Sequence, residues 1–239
     1  MSNIPIIDLI YPRRCPVCQG IVENTDRQAL ICIGCKEKLP YVQTPACMKC
    51  GKEIENPEQE YCSDCVRMPK RFTQGYPVFN YVEPLKEGVG VFKYQNRREY
   101  ADFYVDEIWK VHGKDLLKLN LDGIIPVPIH GRKRRSRGYN QTELLARGLS
   151  RKLQVPDYEK LLIRQINTLP QKALNDKERL DNLKRAFFFC ENDVKLKKVL
   201  LVDDIYTSGA TIEACTDALL QGGVQRVYYT SICIGKGFN

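Results

Sequence analysis

Four C-x-x-C pairs in the first third of the chain constrain its fold more than any other feature. They are CPVC (Cys15, Cys18), CIGC (Cys32, Cys35), CMKC (Cys47, Cys50) and CSDC (Cys62, Cys65). Thirteen residues separate the first two pairs and eleven the last two. Each C-x-x-C turn aims two sulfurs at one point, and two turns complete a tetrahedral S4 shell. Redox C-x-x-C motifs normally come singly, beside a βαβ pattern. The spacing therefore predicts two structural Zn(II) ions in a double zinc ribbon, with sequential pairing (15/18 with 32/35, 47/50 with 62/65) favoured over an interleaved one. Closed S4 shells leave no open ligand position, which argues against catalytic zinc. Such a module folds on its metal and serves as a platform. Residues 1–70 hold nine Lys/Arg and nine Asp/Glu, so eight thiolates around two Zn(II) leave this segment with a local charge of −4.

The remainder differs in charge and in pattern. The net charge of +8 over 239 residues lies wholly in residues 71–239, and RKRRSR alone carries Arg132, Lys133, Arg134, Arg135 and Arg137. That excess suits polyanionic partners. With 43% hydrophobic and 28% charged residues the chain can bury a core, which excludes global disorder. No apolar stretch approaches the length of a membrane span, and the arginines of MSNIPIIDLIYPRR follow its short apolar segment, the wrong order for a secretory signal. A soluble cytoplasmic protein without membrane insertion is expected. Polar residues 67–75, RMPKRFTQG, mark a boundary between domains 1–70 and 71–239. Beyond it strands are expected over residues 76–82, 122–129, 161–166, 198–204 and 226–234. Helices are expected over 99–111, 140–153, 175–186 and 209–223. Alternation of this kind predicts an α/β fold, a parallel sheet core flanked by helices, with ligands at the carboxyl ends of the strands.

One such end stands out. KVLLVDDIYTSGATIEA runs from a buried strand through Asp203 and Asp204 into Thr207, Ser208, Gly209, Ala210 and Thr211, then into a helix. Consecutive amides at a helix start, with three hydroxyls, form a phosphate cradle. The loop is not a Walker loop, because the G-x-x-x-x-G-K-[ST] spacing and its lysine are absent. The two acids would repel a phosphate if aimed at it. They fit something beside it, either the vicinal hydroxyls of a sugar or a magnesium ion.

LLVDDIYTSGAT closely resembles the motif with which type I phosphoribosyltransferases bind phosphoribosyl pyrophosphate (PRPP). The resemblance implies the type I phosphoribosyltransferase fold, with Asp203 and Asp204 as the catalytic pair on the ribose hydroxyls. It implies that residues 207–211 take the 5′-phosphate and that Mg(II) accompanies PRPP. Over essentially the full length the chain is similar to the ComF family, in its zinc ribbons, PVPIHGRKRRSRGYNQTELLARGLS, TLPQKALNDKERLDNLKRAF and the PRPP motif. IPVPIHGRK lies where phosphoribosyltransferases contact pyrophosphate, which implies a role there for Gly131, Arg132 and Lys133. Residues 168–185 resemble the mobile loop that closes over PRPP, with Gln171, Lys172, Arg179 and Asn182 suited to it. An ordinary amphipathic helix is the plain alternative. Tyr139, Asn140 and Gln141 are expected beside the cleft, and His130 is expected to be positional.

RKRRSR also reads as a patch for single-stranded DNA, or as a solvated basic turn. Two functions follow. The similarity to the ComF family implies a PRPP- and Mg(II)-binding protein that handles imported single-stranded DNA with proteins of the uptake machinery. The alternative is an active phosphoribosyltransferase moving ribose 5-phosphate from PRPP to a small nitrogenous acceptor, whose identity no stretch announces. A PRPP-sensing regulator without DNA contact is a third reading.

Overall fold

The structure is a computed structural model and describes residues 12–22, 29–165, 186–190 and 195–235. Two short helices, α1 (Ile33–Lys36) and α2 (Ser63–Arg67), belong to the cysteine-rich segment. They are followed by β1 (Gly75–Asn80), α3 (Leu85–Tyr94), α4 (Tyr100–Lys118) and β2 (Gly123–Pro126). Next come α5 (Gly131–Arg137), α6 (Gln141–Leu153), β3 (Leu162–Arg164) and β4 (Phe187–Phe189). The chain continues through β5 (Lys198–Tyr206), α7 (Ala210–Gln221) and β6 (Arg226–Ile234).

β5 and β6 are buried almost throughout, with both of their faces covered, the normal state of a parallel strand. They run in parallel register from Lys198 opposite Arg226 to Tyr206 opposite Ile234. β1 adds to β6 and β2 to β5, giving a four-stranded parallel sheet of order β1-β6-β5-β2. Irregular chain covers both edges. Val42 N donates to Val78 O at 3.0 Å along β1, and Ile124 N donates to Pro156 O at 2.9 Å along β2. Pairing the open edge in this way removes a template for aggregation.

Side chains alternate across a strand, so β5 divides the core in two. Leu200 and Val202 join a cluster with α3, α4 and α6, while Val199 and Leu201 join one with α7. In the first layer an added Cβ on Gly148 of α6 would lie 2.5 Å from Val105 of α4, so a glycine is needed where these helices cross. The two ribbons sit on opposite faces: Cys15, Val17 and Cys35 pack with the first cluster, and Cys47, Cys50, Cys62 and Cys65 with the second.

This is the expected α/β architecture, a parallel sheet between helices with a double zinc ribbon at the N-terminus. Some elements differ from expectation. β3 pairs antiparallel with β4 in a separate two-stranded sheet instead of joining the main one. RKRRSR forms helix α5 and not a turn, and α3 was not expected. The helix expected over 175–186, and Gln171, Lys172, Arg179 and Asn182, lie outside the described residues. Among the described residues no helix is long and apolar enough to cross a membrane.

Candidate functional site

Each ribbon brings its four sulfurs within 4.8 Å of one another, in the sequential pairing 15/18/32/35 and 47/50/62/65. A tetrahedron of sulfurs about 2.3 Å from zinc has edges of about 3.8 Å. The sulfurs of Cys18 and Cys32 are 3.7 Å apart and those of Cys50 and Cys62 3.5 Å apart, so both clusters fit a structural zinc ion. The turns are shaped by backbone bonds from Cys15 N to Gly20 O at 2.8 Å and from Cys47 N to Lys52 O at 2.7 Å.

Asp203 and Asp204 lie near the end of β5, ahead of Ile205 and Tyr206, and strand alternation points them to opposite faces of the sheet. Asp204 faces the α3–α6 side. Its Oδ1 is 2.8 Å from Lys93 Nζ, and its Oδ2 accepts a hydrogen bond from Gln141. Asp203 faces the α7 side, in the field of Arg164 on β3. Burial, and after it the Asp204 carboxylate, push Asp203 up to about 7; the Asp204 amide, 2.9 Å from Asp203 Oδ1, and then Lys93 and Arg164 oppose that rise. One acid of the pair is thus ion-paired and the other titrates near neutrality. The repulsion that DD presents to a neighbouring anion is correspondingly smaller than the sequence suggests.

Residues 207–211 lie next, between β5 and α7. Gly209 caps α7 with φ +79°, and a Cβ there would lie 2.3 Å from the Tyr206 hydroxyl. Only glycine fits both the backbone and the space. Tyr206 is itself fixed, stacked on Tyr229 at 4.8 Å and 8°, and Phe72 stands edge-on to both rings. Ser208 Oγ accepts from Ala210 N at 3.4 Å, and the Ser208 carbonyl accepts from Lys70 Nζ at 3.3 Å.

The third segment at this end of the sheet follows β2. His130 Nδ1 accepts from Arg132 N at 3.2 Å and caps α5, a positional role, and Gly138 closes the helix with φ +75°. Asn140 Nδ2 and Thr142 Oγ1 donate to the Val127 carbonyl at 3.2 and 2.7 Å, which ties the start of α6 to the loop after β2. Two of the α5 cations are committed. Arg134 pairs with Glu143 at 2.5 Å, while Arg137 bonds Gln141 Oε1 at 3.1 Å and stacks on Tyr94 at 4.4 Å. Arg132, Lys133 and Arg135 are exposed, and Gly131 opens the helix on the solvent side.

The carboxyl end of the sheet therefore gathers Asp203, Asp204, residues 207–211 and the start of α5. Sequence reasoning placed Gln141 near the cleft without a role, and missed Lys93, Arg164 and Lys70. A single lysine or arginine in an unremarkable stretch carries no pattern, so no sequence signal marked these three.

Residues 6–66 match the double zinc ribbon domain family. The chain is 31% identical over 220 residues to Competence protein F of Haemophilus influenzae, covering 90% of this chain and 93% of that protein. It is 29% identical over 192 residues to DNA utilization protein YhgH of Escherichia coli K12, covering 78% and 83%. Competence protein ComFC of Bacillus subtilis is 26% identical over 202 residues, covering 81% and 79%.

Proposed function

The chain belongs to the ComF family, and on that premise we propose that it binds PRPP at the carboxyl end of β5 and serves in DNA uptake by handling incoming single-stranded DNA. The observation that carries the ligand is the junction of β5 and α7. Two acids with different surroundings adjoin a glycine-capped loop whose amides open the helix. In this reading residues 207–211 hold the 5′-phosphate and the acids accept from the ribose hydroxyls. Arg132 and Lys133 meet the pyrophosphate as charge-assisted donors. Magnesium would arrive on the pyrophosphate oxygens. The oxygens of Asp204 already face Lys93 and Gln141, so the acid pair alone makes no all-protein cage for it. The uptake role draws on the relatives named competence proteins and DNA utilization protein.

Calorimetric titration of PRPP with Mg(II) tests the first half. Asp203→Asn combined with Asp204→Asn should abolish binding while zinc content and a single cooperative melting transition persist. Undiminished binding would end the assignment. For DNA, affinity for a single-stranded oligonucleotide should fall steeply with salt. Arg134 is held by Glu143, so the informative triple variant replaces Arg132, Lys133 and Arg135 by Ala. It should flatten the log–log salt slope by about 2, at roughly 0.7 per lost phosphate contact on single strands. A salt-independent affinity would count against nucleic acid as the partner.

Turnover is the second reading, favoured by the link between α5 and the acid pair, in which Gln141 bonds both Arg137 and Asp204. Positioning and electrostatic stabilisation of the leaving pyrophosphate would then do the catalytic work, without a protein nucleophile. Incubation with PRPP, Mg(II) and a panel of nitrogenous acceptors, nucleic acid included, should release pyrophosphate only with the true acceptor.

A further inference from the structure

The segment between the second ribbon and β1 is clamped to α7 at three points. The Arg71 amide donates to both oxygens of Glu213, at 3.0 and 3.1 Å, and the Phe72 amide donates to Glu213 Oε1 at 3.5 Å. The Arg71 guanidinium reaches Asp217 one helical turn on, at 2.7 Å. Phe72 is fully buried against Tyr206 and Tyr229. Lys70, directly before this clamp, sends its amine to the Ser208 carbonyl at 3.3 Å, across 138 positions of sequence.

The chemistry of that placement goes beyond a tie. An ammonium has three donors, and the Ser208 carbonyl takes one of them. The other two remain beside a loop that offers an anion only amide and hydroxyl groups from its own residues. TSGAT lacks the lysine that a Walker loop carries within its motif. Among the described residues, no other lysine side chain bonds residues 207–211. Glu213 lies in the field of Lys70, but the Arg71 and Phe72 amides occupy it and no ion pair forms between the two. A phosphate monoester brings close to two negative charges, and nothing else in the loop balances them.

We propose that Lys70 is a binding residue for the 5′-phosphate, brought to the loop by the segment that leaves the second zinc ribbon. The inference rests on the sugar-phosphate reading of the site. It deepens that reading by making the cysteine-rich segment of the chain a contributor to ligand binding.

The test uses the zinc-loaded full chain and three calorimetric probes: ribose 5-phosphate, PRPP with Mg(II), and Mg(II) pyrophosphate. Lys70→Met should weaken ribose 5-phosphate and PRPP by about tenfold to a hundredfold, the range of a lost charge-assisted hydrogen bond. It should leave pyrophosphate affinity unchanged. Lys70→Arg should recover most of the loss. Lys70→Gln keeps a donor for the Ser208 carbonyl without the charge and should bind as poorly as Lys70→Met. Ribose 5-phosphate binding at wild-type strength in Lys70→Met or Lys70→Gln would overturn the proposal, as would an equal loss of all three probes. Failure of the wild-type chain to bind either sugar phosphate would overturn the site reading itself, and the proposal with it.

Discussion

The two zinc ribbons use the same ligand grammar yet sit in different surroundings. The second is buried at all four cysteines; in the first Cys15 and Cys35 are buried, Cys32 is half-buried and Cys18 is exposed. Each offers a main-chain carbonyl from its first turn to a tyrosine of the sheet domain. Pro16 O accepts from Tyr104 at 3.4 Å, and Cys50 O accepts from Tyr229 at 2.7 Å. The first ribbon thereby meets the helical layer, where Gly88 of α3 lies so close to the Pro16 carbonyl that a Cβ would come within 2.2 Å of it. That same helix carries Lys93 to Asp204. The second ribbon meets the rings beneath residues 207–211 and leads into Lys70. Two similar modules thus brace two different walls of one candidate site: the first sets the wall at Asp204, and the second the wall at residues 207–211.

The sharpest way to break this comparison is to remove each zinc separately. A structural zinc contributes its binding energy directly to folding. Cys62→Ala with Cys65→Ala should reduce the metal content from two ions to one. The fully buried second cluster would lose its centre, so the melting transition should broaden and ribose 5-phosphate binding disappear. Cys18→Ala with Cys32→Ala should also leave one ion, but with a smaller fall in midpoint and ribose 5-phosphate affinity within about tenfold of wild type. Equal losses in both variants would mean that the ribbons form a single support.

How much of this was legible beforehand differs between the two walls. The cysteine spacing and the run from Lys198 to Thr211 stated both zinc sites and the β5–α7 junction, because each is a local pattern with one physical solution. The connections between them are not local. Lys93 lies in LKEGVGVFKY, where two glycines lower helix propensity; α3 is held by the burial of Leu85, Val89 and Phe92, and Gly88 is needed where it passes the Pro16 carbonyl, a contact with a distant segment. RKRRSR is a good helical sequence once His130 and Gly138 cap it, but as a charge run it reads as solvated chain. The apolar stretch at Leu162 signals a strand without naming its partner, and the partner is Phe187–Phe189 and not the main sheet.

The next effect in size concerns the acid pair. Lys93→Met removes the ion pair of Asp204 and should weaken PRPP binding about tenfold or more, since a charge-assisted bond is lost within a buried cluster. Ion pairing and burial also predict a pH signature for Asp203, whose neighbours in this respect are Asp204, Lys93 and Arg164. Its folded value, about 7, stands above the ordinary aspartate value near 3.9, so the folded state holds the proton more tightly. The stability this brings is complete below about pH 4 and is lost as the pH rises through about 7. Asp203→Asn should abolish that loss. Its thermal midpoint relative to wild type should be higher at pH 8 than at pH 5, while ligand binding falls. Removing Lys93 takes away an opposing charge and should move the midpoint of the loss to higher pH. A Lys93→Met chain with the wild-type pH profile would detach this wall from Asp203.

The smallest expected effect discriminates the two docking tyrosines. Tyr229→Phe leaves the Cys50 carbonyl buried without its 2.7 Å partner and keeps the stacking on Tyr206. A lost neutral hydrogen bond costs about 1 kcal/mol, and in a chain of this size that lowers the midpoint by about 2–4 °C. Tyr104→Phe gives up a 3.4 Å contact of poorer geometry, so its fall should be smaller. The kinetics of zinc release to a chelator make the difference specific. Tyr229→Phe should speed release from one of the two sites only, the second ribbon, because the hydroxyl restrains the main chain of a ligand residue. Tyr104 holds Pro16, which lies beside a ligand but is not one, so release from the first ribbon should change less. Faster release from both sites in either variant would show that strain passes through the sheet between the two faces, and the walls would then have to be treated as one unit.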